Sequence, residues 1–497
     1  MSTSTVGLIL VVLYTVIILA ICIRATMAGP TNTGEKFFLG SGTKTFVLLF
    51  TTLASTFSTW VFMGAPASTY TNGHTWIALV TLYQMSMVFT CGYLGPRFWK
   101  LRHAYDFVSQ ADLVVSYYGQ NALRFVMGGC FMVAMVTGTI AQFKAMGTAI
   151  SVMSNGTIPY WAAALYVAVV IAIYVCFGGF HGEALVDTFQ GILFTVVLWG
   201  GLFLVVAYSG GLSEMFTRLA SAFPEKLLYQ GSDAYWGPSM AISFSMVALF
   251  GCMVHPGFWQ RYYAAKDTHT LTRMSVWLPI MTGIGVTMSG GLVGLAANLY
   301  DIELTSTDAV FQVLLSTISS PYWGVAVCIG ILAAGMSTVA GNCNCASMVI
   351  TYDFIRNLRK DADEHRLARI GKLCVLVVIA LGYLLSLNTP SSVTLLIQLM
   401  AAFNMAALYP VLGIFVWKRA TAAGCLAAMI GQFITICITN FVIKDPLDII
   451  AGGWGLMVGM VLFVVVSLVT KPVSDEKRAA FFAPLAKSKR FPQTIIR

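Results

Sequence analysis

Apolar stretches long enough to cross a lipid bilayer recur along the whole chain. Examples are residues 6–23, 161–177, 370–387 and 450–469, each close to the length of about 20 residues that a membrane-spanning helix requires. Only 10% of the 497 residues are charged, whereas an ordinary soluble domain carries about a quarter. Since a water-soluble surface cannot be built from this composition, the sequence predicts a chain that lies in a membrane.

The membrane-spanning segments are predicted to be helices. Backbone polar groups inside a bilayer must be hydrogen-bonded within the protein, and the apolar runs are continuous rather than alternating, which disfavours a β-barrel. We therefore predict an all-α integral membrane protein with about thirteen spans. Numbered 1 to 13, the spans are placed at residues 6–23, 44–70, 75–101, 123–153, 159–178, 184–208, 241–261, 274–298, 320–350, 369–388, 393–417, 421–442 and 449–470. The first span has neither a basic start nor a small-residue cleavage site, so we expect it to be retained.

The linkers between the spans alternate in charge. Of the 29 lysines and arginines, 25 lie in segments that fall on one side of the membrane. These segments are Arg24/Lys36/Lys44, Arg97/Lys100/Arg102/Arg124, Arg261/Lys266/Arg273, residues 356–372, Lys418/Arg419 and the tail from Lys471. By the positive-inside rule this side is cytoplasmic, which puts the N-terminus outside and the C-terminus in the cytoplasm.

The charge distribution also limits the partners of the chain. The positive residues that produce the net charge of +9 lie in short loops and the tail rather than in a soluble domain, so we expect no nucleic-acid partner. We expect a multi-pass protein of the cell inner (cytoplasmic) membrane, with the lipid bilayer around it, acting as a monomer. The tail is expected to be solvated, and a helix lying on anionic lipid over residues 471–490 is the alternative.

The sequence lacks the usual motifs of an enzyme or a primary pump. It contains no H-E-x-x-H pattern, no Walker loop, no dinucleotide-binding glycine pattern in a suitable setting and no Cys/His ligand cluster. Asp187, near the start of span 6 with Glu183 just outside it, is the only carboxylate predicted within a span, and Lys144 alone sits deep. A secondary carrier, which needs only mid-membrane binding groups and a way to expose them alternately, fits better.

Two uncharged polar clusters are candidates for such binding groups. In span 2, residues 54–60 combine β-branched and hydroxyl side chains, and Pro66 follows, so carbonyls before the proline are expected to be freed toward a cation. In span 9, Ser337 and Thr338 follow two alanines and a glycine, and could supply two hydroxyl ligands. The alternatives are hydroxyls bonded to carbonyls one turn back in span 2 and a small-residue packing face in span 9.

Several segments, taken together and in order, resemble the sodium/solute symporter family from about residue 36 to 430. They are residues 54–60 with 64–66, residues 177–180 followed by Asp187 and 190–191, residues 256–261 with 265–266, Ala334 with Ser337 and Thr338, and residues 417–420 before Gly424. The resemblance implies a LeuT-type core of two inverted five-helix repeats. It divides the chain into span 1 with its cytoplasmic loop (1–43), the first repeat (44–208), an extracellular loop (209–240), the second repeat (241–417), peripheral spans 12 and 13 (418–470) and a cytoplasmic tail (471–497).

The resemblance also implies roles for individual residues. The family's sodium site would use the carbonyls of Ala54, Phe57 and Ala334 and the hydroxyls of Ser337 and Thr338, while Asp187 would guide Na⁺ toward the cytoplasm. An interfacial charge paired with a loop lysine or arginine is the other interpretation of Asp187. Positions nominated for the solute are Ser58, Thr59, Trp60, Gln142, Lys144, His255, Gln398 and Asn404, each of which is otherwise an ordinary interhelical hydrogen-bonding group.

The function implied by the resemblance is sodium-driven import of a small polar metabolite by alternating access. Lys144 departs from the family's usual apolar residue, and pairing with a substrate carboxylate would favour an organic anion such as pantothenate or a monocarboxylate. The lysine could instead snorkel outward or replace a cation. A proton-coupled or uncoupled carrier for a zwitterion or neutral solute, and a transporter-like solute sensor, remain the alternatives.

Overall fold

The computed structural model describes residues 2–28, 33–40, 42–358, 363–389 and 391–486. Parts of the predicted basic loops, at residues 29–32, 41 and 359–362, lie outside the described residues, as do residue 390 and the tail from 487 onward. The described residues are predominantly helical and form no β-strand; an isolated bridge joins Thr43 to Ala265. The predicted all-α class is confirmed.

Most of the predicted spans correspond to helices of membrane-crossing length. Spans 1 to 6 are formed by Thr3–Ala28, Thr45–Thr56 with Gly64–Asn72, Thr75–Phe89 continuing to Gly95–Tyr105, Ala122–Met153, and Tyr160–Tyr208, which contains spans 5 and 6. Spans 7 to 10 are formed by Pro238–Met253 with Pro256–Ala264, Thr268–Thr282 continuing to Ser289–Ala297, Pro321–Met348 continuing to Arg356–Leu358, and Glu364–Ser386. Spans 11 to 13 are formed by Val393–Asn404 with Leu408–Phe415, Ala422–Phe441 and Ala451–Val469.

Spans 5 and 6 follow one another with a single non-helical residue between them. Tyr160–Tyr208 contains 49 residues and would be about 74 Å long if straight, more than twice the thickness of the hydrocarbon core of a bilayer. Gly179 interrupts it with φ 54° and ψ −160°, a conformation that glycine adopts without steric cost. Among the described residues, eleven helices are long and apolar enough to span, or twelve with the bent pair of span 2; dividing Tyr160–Tyr208 at Gly179 gives thirteen.

The spans differ in how deeply they are buried in the protein. In span 9, 89% of the most apolar segment is buried, against 33% in span 1 and 39% in spans 12 and 13. Span 9 packs against spans 2, 4, 5/6 and 10. Its continuous run of small residues allows this close approach of helices on several sides. The polar residues on span 9 are therefore surrounded by protein rather than lipid.

Shorter helices connect the spans. They are Gly34–Leu39, Gln110–Tyr118, Leu212–Ala222, Thr307–Ala309 leading into Val310–Ile318, and Asp475–Ala486. The last of these corrects the expectation of a solvated tail, because Phe481 and Phe482 are buried and Tyr105 Oη donates to the Phe481 carbonyl at 3.1 Å. Apolar side chains at 481, 482 and 485 give this helix a face that packs on the protein.

Candidate functional site

Span 2 is broken in the middle of the bundle. Its two parts, Thr45–Thr56 and Thr59–Asn72, meet at an angle of 65°, because Phe57 and Ser58 have non-helical backbone conformations. A helix that ends leaves the carbonyls of its last turn without intrahelical partners. The amide of Thr59, which a continuous helix would direct at the Ser55 carbonyl, donates instead to Gln142 Oε1 at 2.9 Å. The break therefore releases backbone oxygens near Ala54 to Phe57.

The position of this break differs from the one predicted from Pro66. The proline lies in the first turn of helix Gly64–Asn72, where a missing N–H interrupts little of the helical hydrogen bonding. What holds the break is Gln142 on span 4, whose Oε1 also accepts from the Thr59 hydroxyl at 2.8 Å. Sequence reasoning nominated Gln142 as a solute ligand and did not anticipate that it holds the broken helix.

Oxygen atoms from spans 2 and 9 converge beside the break. Ser337 Oγ lies 2.9 Å from the Ala54 carbonyl oxygen and 3.0 Å from that of Ala334. Thr338 Oγ1 lies 2.9 Å from the Ala334 oxygen and 3.5 Å from that of Ala54. The Phe57 carbonyl accepts no hydrogen bond from the described residues. Neutral hydroxyl and carbonyl oxygens of this kind, at an unwound helix, are ligands that secondary transporters use for Na⁺.

A buried charge cluster adjoins these oxygens. Arg261 Nη2 lies 3.4 Å from both Glu183 Oε1 and Asp187 Oδ2, and the exposed fractions of the three side chains are 0–1%. Asp187 Oδ2 accepts from Thr51 at 2.7 Å and from Ser55 at 2.9 Å. The Ser55 hydroxyl is also 3.4 Å from the Ser337 carbonyl, so it links the charge cluster to the oxygen cluster.

This cluster corrects two sequence predictions. Glu183 was placed outside span 6 and Arg261 in a cytoplasmic linker, yet both lie in helices and are buried. Burial removes the hydration of these charges, and the attraction between the guanidinium and the carboxylates compensates for that loss. Asn344 also donates to Glu183 at 2.7 Å. The partners are separated by 74 and 78 residues along the chain, and hydropathy carries no signal for such pairing.

A cavity of about 80 Å³ opens beside the break, between spans 2, 3, 7, 9 and 11. Its lining residues are Ser55, Thr56, Phe57, Ser58, Trp60, Val80, Tyr83, Phe244, Val247, Ala248, Gly251, His255, Thr338, Ile397, Gln398, Met400 and Ala401. Of the residues nominated for the solute, Ser58, Trp60, His255 and Gln398 line it. Because Thr338 belongs to both the cavity wall and the oxygen cluster, a solute in the cavity and an ion in the cluster would be neighbours.

The other nominated residues lie elsewhere. Thr59 and Gln142 are fully buried and bonded to each other. The Lys144 ammonium donates to the Ser391 carbonyl and is not part of the cavity wall. Asn404 is fully buried, and its amide oxygen and nitrogen have no partner within the described part of the chain.

Span 7 is also interrupted, next to the cavity. Its helices Pro238–Met253 and Pro256–Ala264 are separated at Val254 and His255, since Pro256 starts the second helix at a position where its missing N–H is not needed. His255 Nδ1 accepts from the Gly257 amide at 3.1 Å. A ring that accepts through Nδ1 is neutral and carries its proton on Nε2, so His255 has an N–H left to donate.

Two interrupted helices beside one cavity, with released carbonyls and hydroxyls next to it, are typical of secondary transporters. The model of the sodium:solute symporter family matches residues 37–431, and the chain belongs to that family. It is 30% identical over 430 residues to the sodium/pantothenate symporter of Escherichia coli K12, covering 84% of this chain and 87% of the relative. It is 27% identical to the osmoregulated proline transporter OpuE of Bacillus subtilis 168, covering 89% and 90%.

Solved structures show the same fold. A Na⁺-coupled sialic acid symporter in a substrate-bound outward-open state matches with a TM-score of 0.77 and 19% identity, covering 95% of this chain and 99% of that one. The nucleobase-cation-symport-1 family transporter Mhp1, in a closed conformation, matches with a TM-score of 0.56 and 12% identity, covering 92% and 99%. The expected LeuT-type fold and family are thus confirmed. The chain is a sodium-coupled solute symporter, a multi-pass protein of the cell membrane with Na⁺ as the coupled ion.

Proposed function

We propose that this symporter imports a small organic acid, such as pantothenate or a monocarboxylate, together with Na⁺. The observation that carries the proposal is the character of the cavity wall. Among the described residues, no aspartate, glutamate, lysine or arginine lines the cavity, and its polar side chains supply hydrogen-bond donors. A carboxylate, which only accepts hydrogen bonds, is the solute group that such a wall satisfies best.

Three of these donors come from the two interrupted spans. Trp60 Nε1 is buried and has no partner within the described ranges. His255 has its Nε2 proton available, as deduced from the Gly257 contact. The Ser58 hydroxyl accepts from the Trp60 amide at 3.2 Å, so its own proton is free to be donated. A buried donor that is left unpaired costs free energy. These donors therefore favour solutes that carry matching hydrogen-bond acceptors.

Most of the remaining wall is apolar. Val80, Phe244, Val247, Ile397 and Met400 face the cavity, and an aliphatic portion of a solute would be removed from water there. Lys144 no longer supports the organic-acid proposal, because its ammonium is bound to Ser391 away from this wall. We propose instead that the coupled Na⁺ balances the negative charge of the solute.

The relatives support a carboxylate-bearing solute. Pantothenate, proline and sialic acid, which the names of the matched proteins give, each contain a carboxylate. They differ in the remainder of the molecule, and proline is a zwitterion. The proline relatives therefore favour a second candidate, a zwitterionic solute, which the cavity would hold by the same donors.

We further propose that Na⁺ binds the carbonyls of Ala54, Phe57 and Ala334 and the hydroxyls of Ser337 and Thr338. Bound there, the ion holds span 2 against span 9 and favours the conformation that binds solute, so the two ligands bind cooperatively. Asp187, which reaches the ion site through Ser55, would receive the ion as it leaves toward the cytoplasm. The solute then follows by alternating access.

The proposed organisation of the chain is that of the sequence prediction. The two repeats cover residues 44–208 and 241–417, and each begins with an interrupted span, at Phe57–Ser58 in the first and at Val254–His255 in the second. The N-terminus lies outside and the C-terminus in the cytoplasm, as the positive residues indicate. The protein acts as a monomer.

Uptake into proteoliposomes tests the substrate assignment. Vesicles containing the purified protein are given pantothenate, lactate or proline, with an inward gradient of Na⁺ or of choline at fixed pH. We expect accumulation of pantothenate or lactate with Na⁺ only. Accumulation of proline alone would replace the proposal with a zwitterion carrier, and equal uptake in choline would reject sodium coupling.

A parallel thermal-shift measurement separates a transporter from a sensor. A solute that binds the folded state raises the melting temperature, and we expect pantothenate or lactate to do so more strongly when Na⁺ is present. Sodium-dependent stabilisation by a solute that is never accumulated would identify a solute sensor and reject import.

A further inference from the structure

Lys144 and Asp308 lie at the start of helix Val393–Asn404, which forms one wall of the cavity. The Lys144 ammonium donates to the carbonyl of Ser391. The Asp308 carboxylate, which is 9% exposed, lies near the backbone N–H of Val393 and near the Lys144 ammonium, beyond ion-pair distance from it. Both therefore act on the same helix end.

The charges of Lys144 and Asp308 suit the backbone groups at a helix N-terminus. Ser392 is the N-cap, and its hydroxyl accepts from the Leu395 amide at 3.2 Å. The N–H of Val393 is one of the first-turn donors that a helix cannot satisfy itself, and a carboxylate there is favoured by the helix dipole. The Ser391 carbonyl precedes the helix and is free to accept from an ammonium. Burial raises the pKa of the Asp308 carboxyl, and the Lys144 charge and the Val393 N–H oppose that rise.

The two residues come from different parts of the bundle. Lys144 lies on span 4, two residues after Gln142, which holds the broken span 2. Asp308 lies in the short helix Thr307–Ala309, which packs against the outer part of span 2, Gly64–Asn72. The same connecting segment is tied to span 4 by Gln312, which donates to the Ala149 carbonyl at 3.3 Å. The start of span 11 is thereby joined to spans 2 and 4.

We infer that Lys144 and Asp308 form a latch, the 144/308 latch, that fixes the first turn of span 11 and thereby positions Ile397, Gln398 and Ala401 in the cavity wall. Releasing it frees the end of the helix and widens access to the cavity. Lys144 is thus a positioning residue rather than a ligand of the solute. The inference rests on the proposed function only in taking this cavity as the solute site.

Hydrogen–deuterium exchange of the full-length protein in detergent tests the latch without any solute. Lys144→Met removes the ammonium, and Asp308→Asn removes the carboxylate charge. Because hydrogen bonds to charged groups are involved, we expect exchange of the amides at 393–397 to accelerate about tenfold or more. Lys144→Arg, which keeps the charge and donors, should restore much of the protection. Lys444→Met, at an exposed loop position, is the matched control and should leave these amides unchanged.

A reporter in the cavity tests the consequence for access. Ile397→Cys is labelled with a maleimide in the parent and Lys144→Met backgrounds, after subtraction of labelling at the native cysteines. We expect labelling to be severalfold faster in the Lys144→Met background. Unchanged exchange at 393–397, exchange that rises uniformly over the whole protein, or unchanged labelling of residue 397 would each overturn the latch. Because no solute is used, this failure is distinct from a wrong substrate assignment, which the uptake experiment reports.

Discussion

Removing Arg261 leaves two buried carboxylates without their cation. At 3.4 Å, each ion pair corresponds to about 5 kcal/mol of attraction at an effective dielectric constant of about 20. Much of this offsets the hydration lost on burial, so deleting one partner of a buried pair costs about 3–5 kcal/mol. Arg261→Met, which keeps the aliphatic volume, is therefore expected to destabilise the protein by that amount.

The assay is thermal unfolding of the purified variant in detergent. Unfolding entropy near 2.1 cal/mol/K per residue, applied to 497 residues, gives about 1 kcal/mol per degree, so the melting temperature should fall by about 3–5 °C. Arg273→Met, at an exposed position on span 8, is the matched control and should melt with the parent.

A compensating variant distinguishes uncompensated charge from lost packing. In the triple variant Arg261→Met, Glu183→Gln, Asp187→Asn, the buried groups are neutral and most of the loss should be recovered, because an unpaired buried charge is the costly element. If Arg261→Met melted with the parent, or if the triple variant were no more stable than the single one, the electrostatic explanation would be refuted.

Three further substitutions, with one control, test the contacts made by span 2. Gln142→Leu leaves the Thr59 amide and hydroxyl without their acceptor and should cost about 1–3 kcal/mol in thermal unfolding. Gly294→Ala places a Cβ against the carbonyl oxygen and Cα of Pro66, closer than van der Waals contact allows, so folded yield in gel filtration should fall. Gly129→Ala, which meets nothing within 4 Å, should not reduce the yield. Trp60→Phe keeps an aromatic ring against Trp76, at a centroid distance of 4.8 Å in the parent, but removes the Nε1 donor; it should raise the KM for the accumulated solute about tenfold, and an unchanged KM would remove Trp60 from the solute site.

Hydropathy was sufficient for the membrane class because spanning helices need long apolar runs whatever their partners are. The low helix propensity of the serines and threonines at residues 54–60 marked this part of span 2 as a weak helix, and the break at Phe57 and Ser58 lies within it. The actual break depends on Gln142 from span 4, and such a tertiary contact has no local signature. Because that contact cannot be seen in the sequence, the release of the carbonyls was attributed to Pro66 instead.

The pairing of the buried charges could not be predicted from the sequence either. Arg261 and Glu183 have the residue types of loop positions, and only the fold, which brings these two positions of spans 7 and 6 within 3.4 Å, places them together in the interior. Lys144 was rightly singled out as a charge within a span, but its partner at Ser391 lies 247 residues away. A charged residue in a membrane span can be identified from the sequence, whereas what it binds requires the fold.

In the proposed function, sodium binds at the oxygens shared by spans 2 and 9. This binding is tested by the sodium concentration needed for half-maximal uptake by the Ser337→Ala, Thr338→Ala double variant. Ser347→Ala, also buried on span 9 and bonded to the Asn344 carbonyl at 3.0 Å, is the control. Loss of two hydroxyl ligands should raise that concentration about tenfold or more, while the control should match the parent. An unchanged sodium dependence in the double variant would show that sodium does not bind at these hydroxyls.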